Sequence, residues 1–211
     1  MSAFGPPRAA LPRLTDRLPL GGSPLRVSPT CLGMVATPET VRRAFELGVN
    51  FFLVTTDMHW PLYEGLRRGL AGLLADGIAR RDEIVVAGVS YVAQPEFSSA
   101  PFSEVIAAVP GLDRIDVLVV GGAYERDVDE RLAQRREQMA AGFVGARAIG
   151  VTLHERRAAV RVANDELADI AFIRYNPSHA GARSDVFPHL AASRTLVFNF
   201  KSVTEPFTEA D

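Results

Sequence analysis

The sequence predicts an α/β fold in which parallel strands are covered by helices, and three features carry that prediction. Seven short apolar runs of strand length recur along the chain, separated by longer amphipathic stretches. The runs are apolar throughout rather than alternating, as expected of strands buried on both faces. The intervals between them are long enough for the crossovers that parallel neighbours require. Periodicity alone leaves two architectures, a doubly wound sheet or a (β/α) barrel of the TIM type.

The first run is Cys31 to Val35. Thr37 as N-cap, Pro38 at the first helical position and Gly48 at the C-cap predict a helix over TPETVRRAFELG. The second run is Val49 to Val54. Between Pro61 and Ala79, Leu62, Leu66, Leu70 and Leu73 or Leu74 recur at helical spacing and predict one apolar face. The third run, Glu83 to Val89, leads to a helix near Phe102 to Val109. The fourth, Ile115 to Val120, precedes a charged helix over Arg126 to Ala141 that reads as a solvated face. Ala148 to Leu153 is the fifth run, with a helix over Glu155 to Asn164 behind it. The sixth is Ile170 to Tyr175 and the seventh Leu196 to Phe200. No GxGxxG or GxxxxGKS/T follows any run, so these glycine-rich phosphate cradles are absent.

The 211 residues, 47% of them apolar, are enough for one sizeable core. A formal charge of −2 makes no electrostatic case for nucleic acid or an anionic membrane surface. No run approaches the ~18 consecutive apolar residues of a membrane span. Residues 1–17 carry three prolines and no apolar signal core. They read as a flexible arm or cover strand before a barrel domain over 18–211. The single Cys31 leaves no internal disulfide framework, fits a cytoplasmic location, and reads as a buried structural thiol.

Several stretches, in order, resemble aldo-keto reductases. LPLGGSPLRVSPTCLGM (Leu18 to Met34) is similar to the hairpin that plugs the bottom of that family's barrel and leads into its first strand. AFELGVNFF (Ala44 to Phe52) is similar to the segment around the second strand. RRDEIVVA (Arg80 to Ala87) and RIDVLVV (Arg114 to Val120) resemble those at the third and fourth. GARAIGVT (Gly145 to Thr152) resembles the fifth, and ADIAFIRYNP (Ala168 to Pro177) the sixth. The resemblance runs from residue 18 to residue 200 and implies a (β/α) TIM-type barrel. Because the family's barrels have about eight strands, it also implies one apparently truncated after about seven.

The same resemblance implies that the redox machinery is gone. The family's catalytic Asp, Tyr, Lys and His fall on Leu53, His59, Val89 and Gly121. Leu, Val and Gly exchange no protons at neutral pH, so the family's proton donor cannot be tuned as usual. The partners of the nicotinamide amide fall on Thr152, Leu153 and Phe172. No cofactor is therefore expected, with NADP as the lesser expectation. Lys201 and Ser202 could imitate the family's phosphate loop, but FNF reads better as the seventh strand.

In such barrels the site is built from the loops after the strands. Asp57, His59 and Trp60 follow the second run, Ser90 and Tyr91 the third, and Tyr124 and Glu125 the fourth. His154, Glu155 and Arg156 follow the fifth. Arg174, Tyr175, Asn176 and His179 end the sixth, and Lys201 and Ser202 the seventh. Three of the four histidines thus fall just past a strand end, where acid–base work is done. The candidate catalytic residues are His59, Asp57, Tyr124 and His154. The candidate substrate-binding residues are Trp60, Arg174, Tyr175, Asn176, His179 and Lys201.

Each has a plainer reading. His59 can pack on the Trp60 indole, and Asp57 can cap the helix near Pro61. Glu155 suits a helix dipole. Arg174 stands inside an apolar run, where a charge must be paired or line a cavity. Asn176 can end its strand. His179, Arg183 and Asp185 read as a plain loop. No spacing of histidines marks a metal site.

The leading expectation is a non-redox acid–base enzyme acting on a small molecule or peptide by cyclisation, elimination or isomerisation. In it His59 is the acid or base, Asp57 its orienter, and Arg174 or Lys201 the holder of an anion. The alternatives are a binding or scaffold pseudoenzyme and an atypical NADPH-dependent carbonyl oxidoreductase. A homo-oligomer, or a partner protein at the open barrel edge, is expected to cover unpaired strands.

Overall fold

The computed structural model describes residues 11–202, so most of the arm predicted over 1–17 lies outside the described residues. Leu14 and Thr15 pack against Gly48. This glycine takes φ +108°, and a Cβ there would stand 3.0–3.1 Å from Thr15 and the Leu14 carbonyl. Only glycine accepts both the backbone and the contact.

The hairpin predicted at the start is present. Strands β1 (Leu18–Pro19) and β2 (Arg26–Val27) pair antiparallel, Leu18 opposite Val27. Seven parallel strands follow in chain order: β3 (Cys31–Leu32), β4 (Phe51–Val54), β5 (Val85–Ser90), β6 (Val117–Ala123), β7 (Ala148–Leu153), β8 (Ile170–Arg174) and β9 (Leu196–Phe200). Each pairs with its sequence neighbour, and among the described residues no pairing joins β3 to β9. The sheet is therefore a curled, unclosed barrel.

The helices between the strands are α1 (Pro38–Glu46), α2 (Glu64–Ala75), α3 (Ala100–Ala108), α4 (Val128–Ala140), α5 (Arg156–Asn164) and the short α6 (Ala182–Asp185). Among the described residues, no helix is long and apolar enough to cross a membrane.

Several sequence expectations are corrected. The first strand covers only Cys31–Leu32 of its apolar run. Leu62 does not join the apolar face of α2. Pro61 holds it in a 3-10 turn over Trp60–Tyr63, where it is 57% exposed. Strand β6 runs three residues further than predicted, through the Gly121–Gly122 pair, with a register shift before Ala123. Helix α4 is not merely a solvated face, because Arg131 and Arg135 are buried. Arg135 stacks over the Phe102 ring at 5.1 Å and donates to the Ser98 carbonyl. The stretch around Arg183, read as a plain loop, contains α6.

Strand alternation sorts the side chains onto two surfaces. Phe52 and Val54 of β4, Val86 of β5 and Leu118 of β6 pack against α1, α2 and α3. Val120, Ile149, Val151, Ala171 and Ile173 pack against α4 and α5. The residues between them face inward. Phe51, Val85, Ala87, Val89, Val117, Val119, Ala148, Ile170 and Phe172 form the inner cluster, with Leu53, Leu196, Phe198 and Phe200 packed on it. Phe51, Phe172 and Phe198 meet with ring centroids 5.8–6.2 Å apart. Leu20, Leu25 and Val27 of the hairpin belong to the same cluster and close its lower end.

The lower rim is fastened by two carboxylates. Asp116, fully buried, accepts from the Val86 amide, from Arg81 at 2.8 Å and from Arg147 at 2.6 Å. Asp169 accepts from the amides of Gly22 and Ile149, tying the hairpin to β7 and β8.

Candidate functional site

The upper rim is where alternation carries forward past the strand ends. On β7, Ala148 and Thr152 share the inward parity, and His154 continues it. On β8, Ile170 and Phe172 point inward, and Arg174 continues them. On β9, Leu196, Phe198 and Phe200 point inward. Arg174 lies opposite Phe200 in the register, and the His154 ring meets Phe200 edge-on at 5.2 Å. His154, Arg174 and Phe200 therefore form one group on neighbouring strand ends.

Lys201 joins it through the backbone. Asn176, almost fully buried, donates from Nδ2 to the Lys201 carbonyl at 2.7 Å. Lys201 takes φ +52°, so the chain turns sharply there. The Asn176 side-chain Oδ1 accepts from the His179 amide at 2.8 Å and lies 3.2 Å from His179 Nδ1. Asn176 thus does more than end its strand: it fixes both flanking loops. Tyr175 points elsewhere, against Phe187 at 5.0 Å, with its hydroxyl accepting from Arg183.

Arg174 is the unusual member of this group. Its Nε is buried without a hydrogen-bond partner, and among the described residues it forms no ion pair. Partial burial, then the charges of Arg174 and Lys201, hold the His154 imidazole below its ordinary value. Both effects favour the neutral imidazole, the form that can accept a proton.

The opposite side of the mouth is arranged differently. Asp57 does not cap the helix near Pro61 with its side chain. Its carboxylate accepts from the Thr55 hydroxyl at 2.9 Å and the Tyr91 amide at 2.8 Å, joining the loops after β4 and β5. These bonds commit Asp57 to the scaffold. His59 is exposed, in a left-handed conformation (φ 68°), with its ring 6.3 Å from Tyr91. Trp60 is half-exposed. It packs under Arg67, whose guanidinium also donates to its carbonyl, so Trp60 meets Arg67 rather than the His59 ring. Tyr124 is exposed and covered by Arg126 at 4.7 Å. Glu155 accepts from the Glu125 amide instead of capping its own helix.

Two features of this corner carry no local sequence signal. Tyr63 is buried in this corner. Burial first, then Tyr91, Cys31 and Asp57, push its phenol pKa up. Tyr91 leans on Gly121: a Cβ at that glycine would stand 2.6 Å from the ring. The place where the resemblance puts a histidine is thus filled by an aromatic ring from the neighbouring strand. Leu53 and Val89 continue the same apolar surface.

Of the three positions that the resemblance aligns with the partners of a nicotinamide amide, only Thr152 carries a polar side chain, and its hydroxyl oxygen accepts from the Gly122 amide at 2.7 Å. Leu153 faces the helices and Phe172 is buried. Among the described residues no group of three or more His, Cys, Asp or Glu could hold a metal ion. An open cleft of about 950 Å³ lies outside the barrel mouth, lined by Glu125, Glu155, Arg156, Arg161 and Asp185. His154 reaches it too, but its charged residues largely pair with one another.

No protein-family model and no curated protein sequence matches the chain. Solved structures do. The fold is similar to a candidate aldo-keto reductase from Pseudomonas aeruginosa, at TM-score 0.58 and 19% identity over 89% of this chain and 79% of that one. A glycerol dehydrogenase from Gluconobacter oxydans matches at TM-score 0.67 and 13% identity, over 93% of this chain and 70% of that one. A further candidate aldo-keto reductase from Pseudomonas aeruginosa matches at TM-score 0.58 and 20% identity, over 82% and 72%. At such identities the likeness speaks for architecture, and on that ground the chain has an aldo-keto-reductase-like fold.

Proposed function

We propose that this barrel performs non-redox proton transfer on a small anionic molecule, with His154 as general base and Arg174 as anion holder. The observation that carries the proposal is the half-buried Arg174, which forms no ion pair among the described residues, on the strand end beside His154. A half-buried guanidinium with no carboxylate among the described residues gains from an incoming anion that it can hold in two-point fashion.

The chemistry follows from the pair. Arg174 and Lys201 would hold a carboxylate or developing oxyanion, and His154 would take a proton from the adjacent carbon. The electron pair passes to the oxygen that Arg174 stabilises. Return of the proton elsewhere gives isomerisation, and loss of a neighbouring group gives elimination. His59 stands on the far side as a second acid, without Asp57 as its orienter. The resemblance that puts Leu53, Val89 and Gly121 at the redox positions supports a reading without hydride transfer. A binding subunit is the second reading, favoured by the apolar surface of Leu53, Val89 and Tyr91.

The experiment is an NMR titration of the His154 imidazole with and without acetate or inorganic phosphate. Anion binding should raise the His154 pKa, and Arg174→Gln should abolish the rise. No response up to ~1 mM, an affinity weaker than about −4 kcal/mol, counts against the proposal. Micromolar binding of NADPH would favour the oxidoreductase instead. Accelerated exchange of pyruvate methyl protons in heavy water, lost in His154→Ala, would establish the proton transfer itself.

A further inference from the structure

We infer that the ligand of this mouth is an aromatic anion, its charged group at Arg174 and its ring against Phe198 and Phe200. The inference rests on the proposed anion site and adds the class of molecule.

Three observations lead there. First, the inner surface below the cations is aromatic. Phe172 lies two residues below Arg174 on β8, and Phe198 two below Phe200 on β9, both on the inner cluster. Second, Phe198 and Phe200 are only partly buried, although they sit on that cluster. Their neighbours cover part of each ring and leave apolar surface exposed at the open edge of the sheet, beside Arg174. Third, the inner face offers almost nothing to a polyol or nucleotide. Thr152 is a lone polar side chain among the described residues of its upper layer, and its hydroxyl oxygen already accepts from the Gly122 amide. Leu53 and Val89 supply only apolar contacts, and Tyr91 an aromatic edge.

A ligand that satisfies this surface carries one negative group and a flat apolar body. The guanidinium fork of Arg174 accepts a carboxylate or a phosphate in two-point fashion. The Phe200 ring, touching His154 and opposite Arg174, would bring the aromatic body beside both the cation and the base. Edge-to-face or offset stacking is the preferred geometry for such contacts.

The test uses calorimetric titration of the full chain with matched probes: acetate against benzoate and 2-naphthoate, and inorganic phosphate against phenyl phosphate. Covering one aromatic face should strengthen binding about tenfold over the bare anion. Arg174→Gln should remove binding of every probe. Phe200→Ser should bring the aryl probes down to the level of acetate or phosphate. Phe198→Leu, a milder change, should give a partial loss if Phe200→Ser fails to fold. Crystals grown with 4-bromobenzoate should place the bromine over β9, away from Arg174. Equal binding of bare and aryl anions overturns the inference and leaves the anion site standing. Absence of any binding overturns both. Aryl preference untouched by both phenylalanine variants, or bromine in the outer cleft by Arg156 and Arg161, overturns the inference alone.

Discussion

The Tyr91 ring occupies the space that any side chain at Gly121 would need, 2.6 Å from where its Cβ would stand. The two residues belong to neighbouring strand ends, and the ring is largely withdrawn from water. Burial, then the nearby Asp57, push its phenol pKa up. Gly121→Ala should cost about 1–3 kcal/mol by overpacking, measured by denaturant unfolding. The double change Gly121→Ala, Tyr91→Ala should cost less than the sum of the two single changes. Additive costs would show that the ring does not lie there.

The His154 imidazole has a lowered pKa in the folded state, chiefly by burial and then by Arg174 and Lys201. The unfolded chain therefore binds a proton first as the pH falls. The sign is that of a depressed base: stability is lost on acidification from the ordinary histidine value down to the folded one. Thermal unfolding of His154→Gln should show a shallower loss in that window than the wild type. An unchanged slope would mean that His154 is not perturbed.

Asp116 is fully buried and holds Arg81, Arg147 and the Val86 amide at the lower end of β6. Asp116→Asn removes the charge that Arg81, Arg114 and Arg147 share, although Arg81 and Arg114 keep Asp113 and Arg147 stays in contact with water. The expected loss is about 1–3 kcal/mol, from weakened charge-assisted hydrogen bonds rather than stranded charge. A chemical denaturation midpoint like that of the wild type would contradict this account.

Asn176 fastens Lys201 and His179 from one buried amide. Asn176→Ala should cost about 1–3 kcal/mol for the unsatisfied groups left behind. It should also weaken acetate and phosphate binding while leaving Arg174 in place. Unaltered affinity would separate Lys201 from the anion site.

Much of the fold was legible because the strands are buried on both faces. A run such as Ala148 to Leu153 carries no charge and a single polar side chain, Thr152, and its limits match β7. Leu196 to Phe200 also matches β9, although this edge strand is only partly buried and carries the exposed Asn199. Leu62 misled because its helical spacing to Leu66 said nothing of the 3-10 turn that Pro61 imposes. At the site, Arg174 stood out as a charge inside an apolar run, a purely local signal. The bond from Asp57 to the Tyr91 amide, 34 residues away, had no local signal. Neither had the burial of Arg131 and Arg135, whose partners are a carbonyl after β5 and another at the end of β6. Helical charge patterns look alike whether they face water or a neighbouring loop.

The hairpin that closes the lower end gives the chain a timetable. It is among the first described segments to leave a ribosome, yet Gly22 is tied to Asp169, 147 positions later. Its Leu20, Leu25 and Val27 have no apolar home until the inner strands have assembled. During synthesis the first piece of this barrel must therefore wait, exposed, for one of the last. Contacts of such long sequence separation carry the greatest entropic cost and form late. The bottom of the barrel is thus sealed at the end of folding, and a nascent chain halted before β8 would still present those three side chains to a chaperone.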